Sequence, residues 1–314
     1  MSSDFLLAVA KASLAGGSCA ASSFLLNPVD VTKIRIQNST GAPGQSQYSK
    51  GFLEGILTIG RTEGVRGFTR GLEPSMLREM TYSSCRMGAY EPIRGLVMRL
   101  TGADGDGGDS SGNKGGGSPL VKYTSALLSG GIGAAICNPL DLVKTRFQAA
   151  TPGHAPLPYT NTWQAFRYIV LNENGIRGLY KGWEVTTGRA AFLTSGQLGS
   201  YDVIKNNILI QYFNVNEKKN GTFLHLVSAM GASVIATTAA NPCDVIKSRY
   251  MSDVGGASGR YSSLRDCFAQ TLKNEGSMGF LRGWTASYWR VGPHTVISLV
   301  LFEKAREVFG FASI

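Results

Sequence analysis

Three segments of the chain carry the same charged spacing: Pro28-Val-Asp30-Val-Thr-Lys33-Ile-Arg35, Pro139-Leu-Asp141-Leu-Val-Lys144-Thr-Arg146 and Pro242-Cys-Asp244-Val-Ile-Lys247-Ser-Arg249. Each is preceded by an asparagine, Asn27, Asn138 or Asn241. Proline removes a backbone hydrogen bond and kinks a helix, and an acid and a base three positions apart lie about 60° apart around the helix axis. Three such helices converging at one end would each offer a charge to each neighbour, which predicts the pairs Asp30–Lys144, Asp141–Lys247 and Asp244–Lys33. Such a ring can part while its helices stay folded. A second set with the same spacing, Glu91/Arg94, Asp202/Lys205 and Glu303/Arg306, follows about 60 residues later in each unit. Taken singly, these would be static ion pairs at helix ends. As sixfold patterns at two depths they read as two gates, because charge inside a membrane is costly unless used.

Between the two rings lie Arg78, Arg189 and Arg290, each 13 positions before the acid of the second ring. Helical rise puts all three at one depth, roughly 20 Å from that ring and near the middle of a bilayer. Periodicity does not put arginine and acid on one face. Arg86 lies two turns beyond Arg78, about 80° round the same helix. Uncompensated guanidinium groups at that depth form an anion site, since arginine matches carboxylate and phosphate oxygens bidentately. The alternative is pairing with a nearby acid such as Glu79, or snorkelling to the membrane surface.

These residues require elements that repeat. The three prolines are about 111 and 103 residues apart, the length of a two-helix module rather than of a solenoid repeat. A further element recurs between the charged sets: Glu63-Gly64 with Arg70-Gly71, Gly175 with Lys181-Gly182, and Glu275-Gly276 with Arg282-Gly283. The stretches Ala12–Val29, Tyr123–Leu140 and Asn220–Cys243 contain no Asp, Glu, Lys or Arg, and each is long enough to cross most of a bilayer. Small residues crowd them, which suits close helix contact in lipid. The predicted fold is an all-α membrane protein with six transmembrane helices near 7–37, 72–100, 120–150, 182–211, 221–250 and 282–310. These form three tandem two-helix repeats with pseudo-threefold symmetry. Short amphipathic helices are expected near 52–63, 161–173 and 262–274. The repeats then span 1–100, 120–212 and 213–314. The Gly-, Ser- and Asp-rich segment 101–119 between the first two has no periodicity and reads as a disordered linker.

Composition agrees. Only 17% of the residues are charged, the hydrophobic share is 43% and the net charge is +10. A conventional multi-span protein would be more apolar, but helices lining a watery cavity keep one polar face. The basic residues flank apolar segments and form no nucleic-acid motif, so they point to lipid headgroups and an anionic substrate. The five cysteines are odd in number and show no CxxC spacing, which argues against zinc and disulfide frameworks. No Ser-His-Asp, metal-ligand or P-loop arrangement appears, so a catalytic reading has no support. The N-terminal run lacks an Arg-rich transit segment, and targeting information is expected within the chain.

Over nearly its whole length the chain resembles the mitochondrial carrier family, on the strength of the repeated PxDxxKxR triplet. The resemblance implies a multi-pass protein of the mitochondrial inner membrane that works by alternating access. The first charged ring would be its matrix gate and the second its cytoplasmic gate. It further implies that Gln37 and Gln148 brace the matrix pairs and Tyr90 and Tyr201 the cytoplasmic ones. Met251 and Phe302 fill the third places without an equivalent donor. Cardiolipin would bind near the helix starts at Gly71, Gly182 and Gly283, where backbone amides suit phosphate. No other cofactor is expected, and a monomer suffices.

Within the family, Arg78–Arg86, Arg189–Gln197 and Arg290–His294 look like the dicarboxylate, oxoglutarate and uncoupling-type branch. There the arginines contact substrate, and Gln197, Thr194 and Ser298 would add hydrogen bonds. The expected activity is exchange of small dicarboxylate anions, against one another or against phosphate or sulfate; the alternative is a regulated proton leak. A membrane-embedded scaffold would have no reason to keep the arginines. Glu79 departs from the pattern, which implies glutamine. An acid there would weaken anion binding or admit a proton-coupled or amphoteric substrate. His294 reads as a packed helix residue rather than a proton relay.

Overall fold

A computed structural model describes residues 2–39, 51–101, 119–151, 157–204, 217–254, 260–292 and 297. Among these the structure is helical and contains no strand. The first repeat holds α1 (Ser2–Asn38), α2 (Phe52–Thr62), α3 (Val65–Phe68) and α4 (Leu72–Thr101). The second holds α5 (Pro119–Ile136), α6 (Asn138–Ala149), α7 (Thr162–Asn172), α8 (Ile176–Leu179) and α9 (Trp183–Asp202). The third holds α10 (Glu217–Ser252), α11 (Leu264–Glu275), a 3₁₀ turn (Ser277–Leu281) and α12, described over 284–292. The expected helices are all present where residues are described, within a few positions of the expected ends. Most of the 101–119 linker, and the chain beyond 297, lie outside the described residues.

Proline acts differently in the three repeats. α1 and α10 run through Pro28 and Pro242 as single helices. In the second repeat the helix breaks at Cys137, with Pro139 in the first turn of α6, and the two halves meet at 63°. That bent pair is the one stretch among the described residues whose length and hydropathy suit a membrane crossing; no single helix qualifies.

Which residues are inside explains this. Large apolar side chains on the long helices point outward, among them Phe24, Leu25, Leu96, Ile132 and Phe192, whereas Ser22, Ser23, Ser129, Ser228 and Thr237 are buried. In water that arrangement would be inverted; in lipid it lets small polar residues seat the helices closely while the periphery stays apolar. The helices contact one another in succession, α1 with α4, α4 with α5, α5 with α9 and α9 with α10, while α1, α6 and α10 meet pairwise at one end.

Apolar cores lie at that same end, beneath the short helices. Val31, Ile36 and Ile59 form one; Leu142, Val143, Ala165, Ile169 and Met251 belong to a second; Val185, Ile246, Cys267 and Phe280 belong to a third. α2, α7 and α11 bury one narrow face each, through Ile59, Ile169 and Cys267. Away from that face α2 and α7 expose Leu53, Trp163 and Leu171, while the half-exposed Phe268 of α11 stacks on the buried Phe280. Burial pushes the Cys267 thiol up to about 11, so it serves as a packed apolar group rather than a nucleophile.

Candidate functional site

The end where α1, α6 and α10 meet is closed by the three predicted ion pairs. Lys144 Nζ lies 2.8 Å from Asp30 Oδ2, Lys247 Nζ 2.9 Å from Asp141 Oδ2, and Lys33 Nζ 2.6 Å from Asp244 Oδ2. The acids are nearly fully buried. Each links one repeat to the next, so the ring runs once round the pseudo-threefold axis.

The arginines correct an expectation. Arg78, Arg189 and Arg290 are not uncompensated: each donates to the second oxygen of a gate aspartate. Arg78 Nε reaches Asp141 Oδ1 at 2.8 Å, Arg189 pairs with Asp244 and Arg290 with Asp30. Every gate carboxylate therefore holds a lysine on one oxygen and an arginine on the other, from the two other repeats. Asp30 of the first repeat, for instance, joins Lys144 of the second and Arg290 of the third. The arginines line the roof of the gate and the floor of a cavity of about 500 Å³. Arg86, Gln197 and Thr194 line the same cavity, and Tyr82 lies 5.0 Å beneath the Arg78 guanidinium, close enough for cation–π attraction. Glu79, also in the cavity wall, accepts from Arg78 at 2.6 Å and from Arg290 at 2.8 Å.

The glutamines also sit otherwise than the resemblance implies. Their amides do not reach the gate pairs: Gln37 Nε2 donates to Ser287 Oγ at 3.4 Å and Gln148 Nε2 to Asn27 Oδ1 at 3.0 Å. The physical reason is the adjacent helix start. Gly71, Gly182 and Gly283 have φ of 68°, 77° and 68°, and a Cβ there would stand 2.9 Å from Gln148 Cγ, 3.2 Å from Met251 Cε and 3.1 Å from Gln37 Cγ. Each glycine makes room for the third-place side chain of a neighbouring repeat.

The sequence reading left three sets of residues without a role. The last arginine of each motif is buried against an acid below the gate: Arg35 against Glu63, Arg146 against Glu173 at 2.6 Å, and Arg249 against Glu275 at 2.9 Å. The same arginines donate to backbone carbonyls at the neighbouring repeat's helix end, Arg35 to Gln148, Arg146 to Met251 and Arg249 to Gln37. Glu173 stands one position further from its glycine than Glu63 and Glu275 do, and the inserted Asn174 takes a φ of 57°. Finally, Asn27, Asn138 and Asn241 donate to Phe68, Leu179 and Phe280 carbonyls at 2.5, 3.1 and 2.6 Å, tying each gate helix to the turn that starts the next long helix. Exact repetition was the signal available for the arginines and the asparagines, and for Glu63 and Glu275 but not for Glu173.

The second ring lies mostly outside the described residues. Tyr90, Glu91 and Arg94 are on α4, and Tyr201 and Asp202 end α9, but the side chains of these last two, with Lys205, Glu303 and Arg306, are beyond description, as are Phe302, His294 and Ser298. All five cysteines are free, and no group of potential metal ligands occurs among the described residues.

A helical bundle with a threefold charged gate under a cationic cavity defines a membrane solute carrier. The family model for "Mitochondrial carrier protein" matches residues 6–100, 116–212 and 218–313, and the chain belongs to that family. It is 38% identical to the "Mitochondrial substrate carrier family protein ucpB" of Dictyostelium discoideum, over 95% of each chain. It is 34% identical to "Mitochondrial uncoupling protein 1" of Arabidopsis thaliana, over 89% of this chain and 87% of the relative. Likeness to the "Putative mitochondrial transporter UCP3" of Bos taurus is 32%, over 93% and 90%.

Proposed function

We propose that this carrier exchanges small dicarboxylate-type anions, against one another or against phosphate or sulfate, by alternating access across the mitochondrial inner membrane. The observation that carries the reading is the sharing of each gate aspartate between a gate lysine and a cavity arginine. A substrate carboxylate that draws Arg78, Arg189 or Arg290 upward removes one of the two cations holding a gate acid. Binding and gate release then become one event, and the arginine loses no partner, because one carboxylate replaces another. The second ring, with Tyr90 and Tyr201, would close the far side in turn. The chain would span the membrane several times as a monomer, with cardiolipin at the Gly71, Gly182 and Gly283 helix starts.

The test is counter-exchange in liposomes holding the purified protein, preloaded with malate or phosphate, with labelled malate outside. Uptake that needs a loaded internal anion, and that is lost in Arg189→Ala and Arg290→Ala, is expected. Wild-type exchange in either variant would remove the arginines from the site. A second reading, a regulated proton leak, is favoured by the likeness to two Arabidopsis thaliana relatives named as mitochondrial uncoupling proteins. Proton conductance that responds to fatty acid, without labelled-anion uptake, would select it.

A further inference from the structure

Four carboxylates line the cavity among the described residues. Three are the gate aspartates, each shared between a lysine and an arginine. Glu79 is the fourth and has no place in the gate. It projects from α4 of the first repeat, is 4% exposed, and brings one oxygen, Oε1, to Arg78 of its own helix and to Arg290 of α12. No counterpart stands in the other repeats: the position after Arg189 is Ala190 and the position after Arg290 is Val291. The cavity floor is thus threefold in its cations and onefold in this anion.

We propose that Glu79 is a built-in counter-anion that sets the charge of the substrate the site prefers. It engages the two guanidinium groups that an arriving anion needs. An anion binding at Arg78 and Arg290 therefore meets a fixed negative charge beside its own oxygens. The site favours anions of lower charge than a bare three-arginine floor would, and directs the most negative part of a substrate toward Arg189 and Arg86. This rests on the anion-site reading above and specifies which charge class that site takes.

Coulomb energy scales with the charge of the ligand. Removing one fixed charge should therefore help a dianion by the square of the factor by which it helps a monoanion at the same place. The experiment measures nitrate and sulfate binding to the purified carrier, at constant ionic strength, by ligand-induced shift of thermal unfolding, in wild type and Glu79→Gln. A gain of about tenfold for nitrate with about a hundredfold for sulfate is the expected pattern. Equal gains for the two ions, or no gain, would overturn the proposal, as would the absence of binding of either ion to the variant. Glu79→Ala, which removes the charge with a different packing change, must obey the same square relation. If neither variant folds, Glu79 serves to tie α4 to α12 and the proposal fails. Nitrate and sulfate report on site charge without requiring transport. Loss of the exchange reading, seen as no malate counter-exchange in wild type, would consequently leave this result standing.

Discussion

Arg146 has no exposed side-chain surface and holds Glu173 with two nitrogens, at 2.9 and 2.6 Å. Removing one partner of such a buried pair strands the other, which costs about 3–5 kcal/mol. Arg146→Met should accordingly lower the thermal unfolding midpoint of the purified carrier far more than substitution of an exposed arginine such as Arg177; equal midpoints would show that the pair is not structural. The gate partners themselves were readable from the repeats, because a cyclic arrangement of three helices leaves each acid one neighbouring lysine to meet. The arginine–aspartate contacts were not. Counting residues fixes the depth of Arg78 along α4, but not which side chain of the neighbouring repeat it meets, and that is Asp141. Glu173 escaped notice for a simpler reason, since the inserted Asn174 shifts it out of register with Glu63 and Glu275.

At the scale of elements, the starts of the second long helices depend on glycine. Gly71 combines a φ of 68° with a Cβ position 2.9 Å from the buried Gln148 side chain. Gly71→Ala should cost about 1–2 kcal/mol from backbone conformation alone, read as a lower unfolding midpoint and as weaker stabilisation by added cardiolipin. A second element-level test concerns α11. Ser263 caps it, and Asp266 accepts from Gln270 and from the Ser262 amide, which together hold its carboxyl below the ordinary carboxylate value. A group so shifted stabilises the folded state above its unfolded value, about 4, and loses that contribution as pH falls through its lower folded value. The unfolding midpoints of wild type and Asp266→Ala should differ at neutral pH and converge in acid; a gap that widens in acid would reverse the assignment. The short helices were legible through their apolar spacing. The break at Cys137 was not, because all three prolines look alike in sequence and only the packed bundle decides which helix bends sharply.

For the whole molecule, the decisive feature is that each gate carboxylate touches all three repeats. A simple charge swap should then fail. Exchanging Asp30 and Lys144 in one protein restores that pair but sets the new lysine against Arg290, so counter-exchange should stay well below wild type; full recovery would show that Arg290 is not held by the gate. The bundle's pseudo-threefold plan was visible in the sequence because it is written three times, and the departure at Glu79 was visible too, but its contact with Arg290, more than two hundred residues away, was not. The short helices add a last consequence. α7 is fastened to its gate helix by Arg146 and Glu173, and it presents Trp163 and Leu171, 76% and 70% exposed, on its far side. With the membrane placement proposed above, whatever moves α6 would sweep those side chains through the lipid headgroups, like a paddle through a viscous surface. The bilayer itself would then be a working part of the gate, and turnover should slow as headgroup packing tightens even when every contact within the protein is unchanged.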